Sequence, residues 1–338
     1  MNILVCRSPR QFEFISADMP VPKRDMALLQ MSRVGICGTD LHAFEGTQPF
    51  FEYPRILGHE LAGVLVSNQD IPGYDDNESV TILPYFNCGS CLPCLSGKEN
   101  CCEKLQVCGV HVDGGMRDFF QVPINSLIKA EGLTMDELAL VEPLSIGAHA
   151  IRRAGIKRGE FVLIAGAGPI GMATAAFAQI AGAQVILMDV NAARLRLAKS
   201  ILNLKYLLDS RSRDSFEQLR EWTGGSMPQV IMDATGNLKA IESLFPYIAF
   251  GGRFVLVGLQ KEKISFSHPE FHKREATLMS SRNATREDFS WVIQCIRQKL
   301  VSPNSFITHR IPFAKLKDIF PDLNKPELGV LKAVVEFD

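Results

Sequence analysis

Residues 161–171 read FVLIAGAGPIG. An apolar run of strand character meets Gly166, Gly168 and Gly171, a GxGxxG pattern, and a helix-forming stretch follows as far as Ala181. Three glycines at this spacing recur by chance and often serve only a tight turn. Here the flanks supply a phosphate cradle. The first glycine permits the turn, the second lets backbone approach a pyrophosphate, and the third lets helix pack on strand. Pro169 and Ile170 open a helix whose N-terminus faces the anion.

Asp189 ends the next β-like run, QVILMD, eighteen residues after Gly171. A carboxylate there accepts hydrogen bonds from an adenosine ribose diol and repels a 2′-phosphate, which favours NAD; Arg194 keeps NADP as the alternative. Further on, QVIMDATG and GRFVLVGL alternate with helix-like segments such as NAARLRLAKSI, predicting βαβ units and a doubly wound parallel sheet with helices on both faces. The first 140 or so residues have another rhythm. LAGVLV, VTILPY and FFQVPI, separated by Gly, Pro and Asn, suit an antiparallel, barrel-like domain. After Ser281 a helical segment, EDFSWVIQCIRQKL, leads to ITHRIPF and GVLKAVVEF, β-like runs that return to the first domain. The expected division is 1–145 with 284–338, and 146–283.

A chain of 338 residues suits two domains, and 46% hydrophobic with 22% charged residues is ordinary for a soluble globular protein. Thirty-six basic and thirty-seven acidic residues leave a formal net charge of −1, so no bulk field drives it to nucleic acid or anionic membrane. The N-terminus lacks a small-residue cleavage site, and a cytoplasmic protein is expected. Residues 161–188 carry no formal charge and could cross a bilayer on length alone, but the glycine turn breaks the run.

Five of the nine cysteines lie in CGSCLPCLSGKENCC, residues 88–102. In a reducing compartment they read as metal ligands before disulfides. Cys88, Cys91 and Cys94 are spaced three apart and Cys102 follows eight later, so four thiolates can close a tetrahedral structural zinc site with no position for substrate. Cys101 could replace Cys102 on spacing, and an iron–sulfur cluster is the rival ligand. A different set, Cys37 in GICGTDLH, His59 and Glu60 in LGHE, and Glu142 in VEPLSIGAHA, offers one thiolate, one imidazole and one or two carboxylates. That composition leaves a zinc ion with an open position, as catalysis requires. Each alone also has a bland reading, as a small hydrophobe, a polar filler or a solvated carboxylate.

GICGTDLH, GHE, the four-cysteine lobe, EP and GAGPIG, in this order, resemble the zinc-dependent medium-chain alcohol and polyol dehydrogenases over nearly the whole chain. QPFFEYPRILGHE, GVHVDGG and FSHPEFHKREATLMSSRNATREDF are most similar to its bacterial sugar-acid branch. The resemblance implies a GroES-like β-rich catalytic domain and a Rossmann coenzyme domain, two zinc ions per chain, NAD, and a homodimer or homotetramer. It implies a catalytic zinc on Cys37, His59 and Glu142, with Glu60 a fourth ligand or an exchanging neighbour. Thr39 would take the alcohol proton and pass it through the nicotinamide ribose to His42, and Asp40 would hold the turn or orient a zinc ligand. Val257, Gly258 and Ser281 would meet the carboxamide. The implied substrate is a polyhydroxy acid or polyol, with a six-carbon aldonate such as L-galactonate first and Arg282, then His111, as its anchor. A non-catalytic, zinc-stapled dinucleotide-binding protein is the reading from another class; Cys37, His59 and Thr39 are all present, which counts against it.

Overall fold

The computed structural model describes residues 1–49, 51–66 and 71–337, so Phe50 of the QPFFEYPRILGHE stretch lies outside the described residues. Two compact units emerge, Met1–Pro143 with Thr285–Asp338, and Leu144–Ala284.

In the first unit the strand Met26–Ile36 is central. It pairs antiparallel with Glu60–Leu65, Phe119–Pro123 and Lys332–Glu336. Ser79–Ile82 and Leu127–Lys129 extend the sheet on one side. On the other side Ile307–Pro312 pairs parallel with Lys332–Glu336, a departure from the antiparallel expectation. The connection between them carries the helix Leu316–Ile319 and further helical turns, the long crossover that parallel pairing needs. The VTILPY run also divides: Ser79–Ile82 lies in this sheet, whereas Tyr85–Phe86 turns away after Pro84 into a ribbon with Gln106–Val107. Proline lacks the N–H that a continuing ladder would use. The core gathers Leu4, Leu29, Val34, Leu57, Leu61 and Met116, and Phe12 stacks on Phe44 at 4.9 Å while meeting Phe320 edge-on. Burial of such side chains supplies roughly 1.5–3 kcal/mol each.

The second unit holds a six-stranded, wholly parallel sheet in the order Tyr206–Asp209, Gln184–Asp189, Phe161–Ala165, Val230–Asp233, Arg253–Leu256, Thr277–Ser280. Chain order reverses between Phe161–Ala165 and Val230–Asp233, so the carboxyl ends of these two strands form the switch point where such sheets take ligands. Leu163, Ile186, Ile231 and Phe254 are fully buried there, which is why these strands read as continuous apolar runs rather than alternating ones. The uncharged stretch 161–188 resolves into strand Phe161–Ala165, helix Pro169–Ile180 and strand Gln184–Asp189. No helix of the described residues is long and apolar enough to cross a membrane.

Candidate functional site

Cys37 follows the strand Met26–Ile36 in extended conformation and caps the helix Gly38–Glu45. Asp40 in the first helical turn accepts from Cys37 N at 2.9 Å and from Gly58 N at 3.1 Å. One buried carboxylate thereby fastens the helix start to the LGHE turn, where Gly58 takes φ +96°. The next residue, His59, is 6% exposed, and its Nδ1 lies 3.7 Å from Asp40 Oδ1 with no hydrogen-bond partner among the described residues. Glu60 opens the following strand opposite Gly35, where a methyl would meet Glu60 Oε2 at 1.9 Å. Glycine is required there to admit the carboxylate. Ligand atoms of Cys37, His59 and Glu60 all lie within 4.8 Å of one another.

Two further residues complete this centre. Lys332 Nζ donates to both oxygens of Glu60, at 2.7 and 2.8 Å, and to the Ile36 carbonyl at 3.0 Å. Glu142, on the helix Met135–Ala154, stands outside the three-residue group, and the Tyr85 hydroxyl donates to its Oε1. Burial pushes the Glu142 carboxyl up to about 7, opposed by His59 and abetted by Glu60. Burial disfavours charge on His59 too, but Asp40, Cys37 and Glu142 outweigh it and hold the imidazole well above its usual range. An unpartnered imidazole nitrogen and converging anionic donors, with one ammonium already committed to Glu60, fit a divalent cation.

In the lobe, the sulfurs of Cys88, Cys91, Cys94 and Cys102 also lie within 4.8 Å of one another; Cys91 and Cys94 are 3.4 Å apart. Cys102 Sγ accepts from Cys88 N and Lys104 N, both at 3.3 Å, and Cys94 Sγ accepts from Asn87 Nδ2 at 3.6 Å. Hydrogen bonds from Ser90 draw the Cys88 thiol down to about 5, whereas burial raises Cys102 to about 11. Four sulfurs with N–H donors around them fit a thiolate-bound metal. Cys101 is exposed and outside the group.

In the second unit Gly166 turns the chain with φ +100°, and Gly168 caps the helix that Pro169 and Ile170 begin. A methyl at Gly171 would meet Gly166 O at 1.7 Å, while at Gly168 it would meet no described atom within 4 Å, so the loop is closed on its inner side and open at its mouth. Asp189 accepts from Ala167 N at 2.6 Å and Asn191 N at 2.7 Å, bracing the glycine loop from the neighbouring strand. Arg194 is exposed on the helix Ala192–Leu202. Val257 N and Gly258 N both donate to Asp233 O at 2.9 Å, so these amides are committed within the fold. Ser281 Oγ is buried without a hydrogen-bond partner among the described residues, a hydroxyl that a dinucleotide could satisfy.

Thr39 is half-buried and His42 exposed one turn later, with His42 Nδ1 3.0 Å from Thr47 Oγ1. His111 Nδ1 accepts from Val107 N at 3.0 Å, and Arg282 is exposed beyond the strand Thr277–Ser280. Sequence reasoning passed over Lys332 and Tyr85. A lysine inside the apolar run GVLKAVVEF was the available signal, because a buried ammonium demands a buried partner; nothing comparable marks Tyr85.

The model of the alcohol dehydrogenase GroES-like domain matches residues 23–132, and that of the zinc-binding dehydrogenases matches residues 169–298. The chain is 44% identical over 340 residues to L-galactonate-5-dehydrogenase of Escherichia coli (strain K12), spanning 100% of this chain and 99% of that protein. It is 32% identical to sorbitol dehydrogenase of Ovis aries, over 99% and 96% of the two chains. An alcohol dehydrogenase from E. coli CFT073 complexed with NADH superposes with TM-score 0.92 at 27% identity, over 100% and 99% of the two chains. A zinc-binding dehydrogenase from Sinorhizobium meliloti 1021 bound to NADP gives 0.91 at 26%, over 99% and 98%.

Proposed function

The chain belongs to the zinc-dependent alcohol and polyol dehydrogenases, and from that premise we propose that it oxidises a secondary hydroxyl of a sugar acid with NAD, converting L-galactonate to its 5-keto acid, D-tagaturonate. The convergence of Cys37, His59 and Glu60 within 4.8 Å, beside Glu142, carries this reading.

Cys37, His59 and Glu142 would hold the catalytic zinc, with Glu60 an exchangeable fourth carboxylate, and Cys88, Cys91, Cys94 and Cys102 would hold a structural zinc. When bound, the catalytic zinc supplies a Lewis acid that acidifies the substrate alcohol, and NAD supplies the hydride acceptor. Thr39 takes the proton, and His42, three residues on along the same helix face, delivers it to solvent. In sum the carbinol carbon loses a hydride and its oxygen a proton, leaving a ketone. Gly166, Gly168 and Gly171 admit the pyrophosphate at the helix N-terminus that Pro169 and Ile170 open. Asp189 would accept from the ribose diol, with Arg194 on the helix that follows, and Val257 and Ser281 would meet the nicotinamide carboxamide. Arg282 pairs with the aldonate carboxylate, since a carboxylate leaving water needs a positive or multiply donating partner; His111 ranks second because its Nδ1 already serves Val107.

The test is NADH formation by purified protein across L-galactonate, L-idonate, sorbitol, galactitol 1-phosphate and threonine. Highest kcat/KM on L-galactonate, with Cys37→Ser folded but inactive, is the expected result. Faster turnover of sorbitol would move the assignment to the polyol branch.

A further inference from the structure

The four-cysteine lobe hangs from a two-stranded ribbon in which Tyr85 faces Val107 and Phe86 faces Gln106. Cys108 N closes the base of the ribbon on Pro84 O at 2.9 Å. The residues that follow the ribbon on one side and precede it on the other are bonded to the lobe's sulfurs: Asn87 to Cys94, Cys88 and Lys104 to Cys102. An ordered sulfur cluster therefore fixes both strands of the ribbon at their lobe ends. Tyr85, 5% exposed, points its hydroxyl from this ribbon onto the buried Glu142.

The geometry points to Tyr85 as a positioning residue through which the lobe metal sets the affinity of the second metal centre. Its hydroxyl orients the Glu142 carboxylate, and its backbone is held by the lobe. Partners that orient a ligating carboxylate in this way are worth about 10- to 100-fold in metal affinity. The inference rests on the assignment of Glu142 as a ligand in the proposed function. It adds a task for the cysteines beyond fastening a loop.

Zinc release from the holoprotein into chelators of graded strength tests it, with the zinc missing from Cys37→Ser identifying the second centre. Tyr85→Phe keeps the ring and its packing. It is expected to weaken the Cys37-dependent zinc about tenfold while leaving the affinity for lobe zinc unchanged. Cys91→Ser, or the milder Asn87→Ala if that variant does not fold, is expected to weaken the Cys37-dependent zinc in the wild-type background and to have little further effect in Tyr85→Phe. An unchanged affinity in Tyr85→Phe, or lobe effects of equal size in both backgrounds, would overturn the coupling. The readout uses no substrate. Absence of NADH formation alongside the expected affinity shifts would remove the dehydrogenase reading and leave the coupling standing.

Discussion

At residue scale, Lys332 and Glu60 show how a buried site can contain charge that an apolar core would reject. The ammonium is 2% exposed and the carboxylate fully buried, so each is tolerable only because of the other. Lys332→Met should cost about 3–5 kcal/mol by leaving the carboxylate unpaired, and adding Glu60→Gln should recover much of that loss; urea denaturation of both variants in metal-free protein measures it. Asp189 supports a second expectation. Its carboxylate braces Ala167 and Asn191 at 2.6 and 2.7 Å, so Asp189→Ala should loosen the glycine loop while also removing the repulsion of a 2′-phosphate. A falling kcat/KM ratio of NAD to NADP is expected. An unchanged ratio in the variant, or equal use of both cofactors by the wild type, would remove Asp189 from coenzyme selection. The acid was legible from its place at a strand end; its backbone partners were not, since they depend on how the loop folds back.

Among the elements, the start of the helix Met135–Ala154 is pinned to the sheet by Asp136. Arg310 on Ile307–Pro312 and Arg33 on Met26–Ile36 both bond it, the former at 2.6 Å and the latter at 3.0 Å. Arg310, then Arg33, hold the Asp136 carboxyl below its usual range despite partial burial. A depressed folded-state pKa gives stability that is present above the unfolded value of about 3.9 and disappears as pH falls through the folded one. Asp136→Asn should thus cost about 1 kcal/mol near neutrality, a figure reduced by the half-exposed Arg310. The difference from wild type should shrink to nothing at pH values well below 4, as urea midpoints across the acid range would show. Sequence rhythm made Ile307–Pro312 and Lys332–Glu336 readable as strands, but not their parallel pairing. Apolar pattern reports which residues are buried, and partner choice is decided by contacts far apart in the chain.

For the whole molecule, the glycine loop and the alternation after it were sufficient to read a parallel, doubly wound sheet. The residues that cluster, Cys37 with His59 and Glu60, and Cys88 with Cys91, Cys94 and Cys102, were readable as types and spacings. The positions of Tyr85 and Lys332 required the fold, because each reaches a carboxylate on an element remote in sequence. The two units each enclose a core of their own, one around Leu61 and Met116 and the other around Leu163 and Ile231. Ligands bound to one unit should therefore act on its amides first, since local opening follows cooperative units and not the whole chain. NAD at a hundred times its dissociation constant stabilises what it binds by about 2.7 kcal/mol, equivalent to about 100-fold slower exchange for amides released by opening of that unit. Hydrogen exchange of the holoprotein should show this slowing in residues 161–189 with little change in 85–108. Chelation of the lobe metal should do the reverse, accelerating exchange at the Tyr85–Phe86 and Gln106–Val107 ribbon while Phe161–Ala165 and Gln184–Asp189 keep their protection. Acceleration of equal size in both sets on chelation would mean that the chain opens as one cooperative body, and the separate cores would then not be separate units of stability.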